Sequence, residues 1–161
     1  MPKVETINTL PPIVVQAEFL RCCGSKRWAE KMTTFRPYAS EAALFETAER
    51  MWASLTSEDW IEAFSHHPKI GGQTTSKWTE EEQGGLKGTS NLVLSELEKE
   101  NLKYEKKFGF VFLVCATGKK ANELLALLRE RMNNDPREEL GIAMREQAKI
   151  TRLRLEKWLK A

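Results

Sequence analysis

Histidine is scarce in this chain: two occur in 161 residues, side by side at positions 66 and 67 in the stretch SHHPKIGG. Cysteine is scarce as well. The three present, Cys22, Cys23 and Cys115, are odd in number and follow no metal-ligand or disulfide-framework spacing, as expected of thiols in a reducing compartment. No apolar run approaches the ~18 residues that a membrane span requires, so no membrane partner is expected. The start, MPKVETINTLPPIVVQ, sets an acidic residue and a proline pair where a signal peptide would need its apolar stretch, so export is not expected. Charge of one sign is also missing. A net +2 with a sequence pI near 8.4, acids and bases interleaved except near the end, argues against nucleic acid and for a small partner. There is no Gly-rich phosphate loop, no G-x-S-x-G turn and no H-x-x-E-H or C-x-x-C pattern, which removes the usual signatures of nucleotide, serine-nucleophile and zinc chemistry.

What is present, 41% hydrophobic and 30% charged residues, belongs to a soluble globular protein. The length fits one domain over residues 1–161, with residues 1–14 as a loosely ordered N-terminal segment. Successive amphipathic helices account for most of the chain. Ser40 caps an apolar row at Leu44, Phe45, Ala48, Met51 and Trp52, and Thr56 or Ser57 opens a second helix through Trp60, Ile61 and Phe64. Pro68 disfavours helical backbone at the preceding residue, so that helix must stop near His67 and leave both imidazoles on a corner. Thr79-Glu80-Glu81-Glu82 has the form of a capping box. A long helix over about 90–107 carries Leu97, Asn101, Tyr104 and Phe108 on one row, which puts an amide in line with core. Residues 108–116, FGFVFLVCA, read locally as a buried strand, although no second strand offers a partner. Apolar positions at 121, 124, 125, 128 and 132 predict another helix. Asp135-Pro136-Arg137-Glu138 then opens a last one reaching Trp158, with a stripe at Leu140, Met144, Ala148, Thr151, Leu155 and Trp158. On that helix Arg154 falls near Gln147, on the inward side, while Arg145, Lys149 and Arg152 fall on a basic, solvent-facing sector.

His67 is the first candidate for acid–base chemistry, because imidazole titrates near neutrality and Pro68 holds it rigid; the competing reading is a histidine neutralising a helix C-terminus. His66 reads as scaffold, since adjacent side chains on extended backbone point apart. Glu82 could tune that histidine or be only a cap, and Asn101 could be a core amide or a ligand contact. An inward Arg154 keeps its proton and needs an anion, internal or bound.

These residues resemble the 2-oxo-4-hydroxy-4-carboxy-5-ureidoimidazoline (OHCU) decarboxylases of urate degradation. The matching pieces are Arg36-Pro37 in RPYAS, His67-Pro68 with Ile70-Gly71, Glu82-Gln83, Asn101-x-x-Tyr104-x-x-Lys107-Phe108-Gly109-Phe110-x-Phe112, and Lys149-Ile150-x-x-Leu153-Arg154-Leu155. KKFGFVFLVCATG looks like the plant-type members, in which this domain precedes a hydroxyisourate hydrolase domain. The resemblance implies an all-α, single-domain bundle of about seven to eight helices, a cytoplasmic homodimer, or a peroxisomal protein if part of a plant-type bifunctional chain. It also implies no metal and no organic cofactor. By the same resemblance His67, Glu82 and Arg154 are catalytic, and Pro68, Thr79, Gln83, Phe110, Val111 and Phe112 bind the substrate, OHCU. Thr79 stands where most members have serine, which keeps the hydroxyl. Tyr38 replaces a usual phenylalanine, many members have a small residue in place of His66, and residues 73–78 match nothing in the family. Two rivals accompany this reading, a non-catalytic helical interaction domain and a hydrolase of a related ureide.

Overall fold

Local capping chemistry sets where several of the helices begin. In the computed structural model, which describes residues 3–68 and 91–161, the described residues form eight α-helices and no strand. The all-α expectation therefore holds. The chain divides into two compact units, one of Met1–Ala63 with Ala148–Ala161 and one of Phe64–Gln147.

In the first unit, helices α1 (Lys3–Thr9), α2 (Pro12–Cys22), α3 (Lys26–Thr34), α4 (Glu41–Ala53) and most of α5 (Ser57–Phe64) follow one another, α2 packing on α3 and α3 on α4. The Ser40 side chain accepts from the Ala43 N–H at 3.1 Å and so caps α4 as its position predicts. Thr56 and Asp59 bond reciprocally at the start of α5, the Asp59 carboxylate taking both the Thr56 N–H at 3.2 Å and its hydroxyl at 3.0 Å. Phe19 lies edge-on to Trp28 and to Trp158 at 5.7 and 5.2 Å, and the Trp28 indole donates to the Ala48 carbonyl at 3.1 Å. One expectation fails here. Residues 3–14, the described part of the segment expected to be loose, are ordered, because Lys3–Thr9 is helical with Val4 and Ile7 buried, and Pro12 starts the next helix. Arg36 explains the order: its Nη1 donates to the Ile7 and Leu10 carbonyls at 3.0 and 2.6 Å, satisfying the end of α1.

The second unit contains helices α6 (Asn91–Phe108) and α7 (Ala121–Arg131), which pack together, and the first half of α8 (Pro136–Lys160), a helix continuing into the other unit. Leu97, Asn101 and Tyr104 are buried along α6, as their row predicts. Asp135 caps α8 by accepting from the Glu138 N–H at 3.0 Å. Gly109, at φ 81°, ends α6 in a conformation that side chains disfavour and turns the chain into the apolar run.

That run is not a strand. Residues 111–116 are assigned to neither helix nor strand, and side chains bond to their backbone as a neighbouring strand would. Arg131 Nη1 donates to the Leu113 carbonyl at 2.7 Å, Lys119 Nζ donates to the Cys115 carbonyl at 3.1 Å, and the Glu146 carboxylate accepts the Cys115 N–H at 3.0 Å. Apolar composition reported burial correctly; the hydrogen-bond partners came from side chains of two helices and from Lys119 in the turn before α7. Beneath the run, Tyr104 packs against Phe108, Phe110 and Phe112 with ring centroids 4.6, 5.9 and 5.3 Å away.

The buried face of α8 is also offset from the apolar stripe. Ala143, Gln147, Ile150 and Arg154 are buried, as are Glu139 and Glu146, whereas of the stripe Thr151 and Leu155 are buried and Leu140, Met144, Ala148 and Trp158 are only partly covered. A hydrophobic wheel gives no weight to polar side chains, so it places the centre of the arc too far round.

Candidate active site

His67 sits three residues beyond the end of α5, where its backbone N–H donates to the Phe64 carbonyl at 3.1 Å and Pro68 prevents the helix from continuing. Its imidazole is half-buried, and Nε2 lies 2.6 Å from Oε1 of Gln147 on α8. Gln147 is completely buried. His66 is exposed, in keeping with its reading as scaffold. Phe64 joins this corner to the apolar run, its ring 5.4 Å from that of Phe110, so His67, Pro68 and Phe110, Val111 and Phe112 all belong to one compact unit. Phe110 and Phe112 are buried and Val111 is half-buried. The two phenylalanine rings serve the core, leaving backbone and Val111 as the parts of this segment suited to a ligand. Thr79, Glu82 and Gln83 lie outside the described residues.

A buried ionic cluster holds the segment from below. Arg131 Nε and Glu139 Oε1 are 2.5 Å apart, the Tyr104 hydroxyl donates to the same oxygen at 2.6 Å, and Asn134 donates to the other at 3.0 Å. The Arg131 guanidinium also stacks over Phe112 at 4.6 Å. Burial, reinforced by the neighbouring Glu139 carboxylate, pushes the Tyr104 phenol well above its ordinary range, so it stays protonated, donating to Glu139 while accepting from Arg131 Nη2 at 3.4 Å. Sequence reasoning passed over Arg131, Glu139 and Glu146. The available signal was positional: Arg131 falls three and seven residues after Leu128 and Leu124 on the apolar row of α7.

Arg154, in the other unit, is buried at 9% exposure and donates from Nη1 to the Arg21 carbonyl at 3.3 Å. Arg152 is exposed, pairing with Glu156 at 3.3 Å and Glu49 at 3.8 Å and stacking over Phe45 at 4.3 Å. The inward and outward assignments of these two arginines therefore hold. Near Arg154, burial pushes the Cys22 thiol up, and pushes Cys23 up to about 12, so both are neutral at ordinary pH and bring no anion to the guanidinium. A hollow in this unit lined by Phe45, Trp52, Thr151, Arg152 and Leu155, among others, contains none of the residues predicted for the site. Among the described residues no three His, Cys, Asp or Glu side chains are grouped as a metal site requires, and no described helix is long and apolar enough to cross a membrane.

A sequence profile for OHCU decarboxylase matches residues 8–156. The chain is 38% identical over 148 residues to the uric acid degradation bifunctional protein TTL of Arabidopsis thaliana, covering 87% of this chain and 46% of that protein. It is 34% identical over 88 residues to the 2-oxo-4-hydroxy-4-carboxy-5-ureidoimidazoline decarboxylase of Amia calva, covering 55% of this chain and 50% of the relative. The chain thus spans about half the length of these two relatives. A crystal structure of an OHCU decarboxylase in the presence of (S)-allantoin superposes with a TM-score of 0.82 at 42% identity, covering 89% of this chain and 98% of that one. A structure of (S)-allantoin synthase, 16% identical with a TM-score of 0.75 over 96% of this chain and 53% of the other, shares the fold.

Proposed function

Since this chain belongs to the OHCU decarboxylase family, we propose that it converts OHCU to (S)-allantoin and carbon dioxide, as a step of urate breakdown. The observation that carries this reading is the match to a solved OHCU decarboxylase over nearly that protein's whole length, combined with an imidazole held at a fixed corner on the family's His-Pro pair. In OHCU the carboxylate sits on a ring carbon that also bears a hydroxyl. Breaking the carbon–carbon bond releases carbon dioxide and leaves an electron pair that must be delocalised into the nitrogen-containing ring and then protonated on one face. His67 exchanges a proton with the hydroxyl-bearing centre, Glu82 orients and tunes the imidazole, and Arg154 anchors ureido or ring oxygens. A grip by Arg154 on the departing carboxylate would stabilise the ground state over the transition state, which argues for the oxygens that remain.

Pro68, Thr79, Gln83 and the backbone around Phe110, Val111 and Phe112 complete the binding surface in this reading, with no metal or organic cofactor. The chain works as a single domain and a homodimer, in the cytoplasm or, within a plant-type bifunctional protein, in the peroxisome. Sedimentation equilibrium tests the dimer, which predicts the mass of two chains. For the activity, urate oxidase and hydroxyisourate hydrolase generate OHCU in place and circular dichroism follows (S)-allantoin. Accelerated growth of that signal on adding the protein is the expected result. A signal no faster than the uncatalysed decay sinks the proposal.

A further inference from the structure

We propose that Gln147 is a positioning residue: its amide oxygen fixes His67 as the Nε2–H tautomer, so that Nδ1 carries the basic lone pair used in proton exchange. The inference rests on the reading of His67 as the acid–base group and adds the device that prepares it.

An amide oxygen accepts and cannot donate, so the 2.6 Å contact requires the hydrogen to reside on Nε2 of the neutral ring. The partner is held firmly. Gln147 is completely buried on α8, and the residue before it, Glu146, is tied through its carboxylate to the Cys115 backbone at 3.0 Å, anchoring that turn of helix to the segment 111–116. The histidine is held from its own side by the bond from its N–H to the Phe64 carbonyl and by Pro68. Ring and amide are thus each held by contacts within the protein. The choice of an amide also has a consequence. A carboxylate at this position would favour the imidazolium, whereas a neutral oxygen selects a tautomer without adding charge, so the ring can both take up and return a proton.

The two-histidine composition makes the test direct. A His66→Gln variant of the full chain, labelled with 15N-histidine, holds a single imidazole whose nitrogens are distinguished by long-range proton–nitrogen correlation. The expected result is a protonated Nε2 and a pyridine-like Nδ1 at neutral pH. Gln147→Leu should let the tautomers average and lower kcat about tenfold or more with KM nearly unchanged, since the residue orients a catalytic group and does not touch substrate. Gln147→Glu keeps an acceptor oxygen and should keep Nε2 protonated. A protonated Nδ1 in the otherwise native chain would overturn the inference without recourse to a Gln147 variant. So would a folded Gln147→Leu protein with tautomer and kcat unchanged. If instead the native chain forms no (S)-allantoin, the assigned activity fails, and the nitrogen spectrum alone decides on Gln147.

Discussion

Asparagine in place of His67 keeps a similar size and one hydrogen-bonding edge while removing titration, so His67→Asn should abolish stereospecific (S)-allantoin formation and leave the thermal melt close to that of the parent. Turnover surviving in that variant would move the acid–base role elsewhere. A sharper contrast lies in two arginines two residues apart. Arg154 is buried and points its planar fork inward, whereas Arg152 is exposed among Glu49, Glu156 and Phe45. Arg154→Lys keeps the charge but loses the fork, and the expected loss of activity is roughly tenfold or more, the scale on which small misplacement of a substrate acts. Arg152→Lys should change little. Equal activity and equal melting temperature in the two proteins would make Arg154 a structural residue.

At the scale of elements, the segment 111–116 is held by the side chains of Arg131, Glu146 and Lys119, and the Arg131–Glu139 pair is the part that cannot be removed from one side only. Glu139 is fully buried and Arg131 nearly so, and the arginine simultaneously holds the Leu113 carbonyl and covers Phe112. Arg131→Met leaves a buried carboxylate with Tyr104 and Asn134 as its partners among the described residues, at an expected cost of about 3–5 kcal/mol in urea unfolding. Because the two partners are coupled, the double variant Arg131→Met/Glu139→Leu should lose less than the sum of the two single variants. Strict additivity of the two losses would mean that the contact contributes nothing. Arg36 does comparable work in the first unit by closing the end of α1, which is why an arginine that looks like part of a family motif has no need of a catalytic role to explain it.

For the molecule as a whole, burial makes alkaline pH the destabilising direction. The thiols of Cys22 and Cys23 are pushed up from an ordinary 9.0, Cys23 to about 12, and the phenols of Tyr38 and Tyr104 are pushed up from 10.0. Above about pH 9 the unfolded chain releases thiol protons that the folded chain retains, so the native state binds more protons and stability must fall as pH rises. This contribution is complete below the unfolded value and is lost as pH climbs toward the folded one. Calorimetry from pH 7 to 11 should show a melting temperature that declines once pH passes about 9, with a shallower first part of the decline in Cys22→Ala/Cys23→Ala. An unchanged slope in that double variant would assign the alkaline loss to other groups.

Helix starts were legible in the sequence because they depend on neighbours. Ser40 reaches Ala43, Thr56 reaches Asp59, and Asp135 reaches Glu138, each three residues away, so a local pattern carries the whole interaction. The periods of α6, α7 and α8 were legible for the same reason, and with them the inward face of Arg154. The resemblance placed His67 and the segment around Phe110 from short motifs. Other features were decided only by the tertiary structure, because their partners lie far along the chain and follow no period. Arg36 closes a helix 29 residues before it, the Leu113 carbonyl and the Cys115 N–H find donors and acceptors 18 and 31 residues away, and His67 meets Gln147 across 80 residues. A hydrophobic pattern records which side chains avoid water. It is silent on which buried polar atom will answer another, and that pairing turned an apparent strand into a side-chain-held segment and set a glutamine against the imidazole.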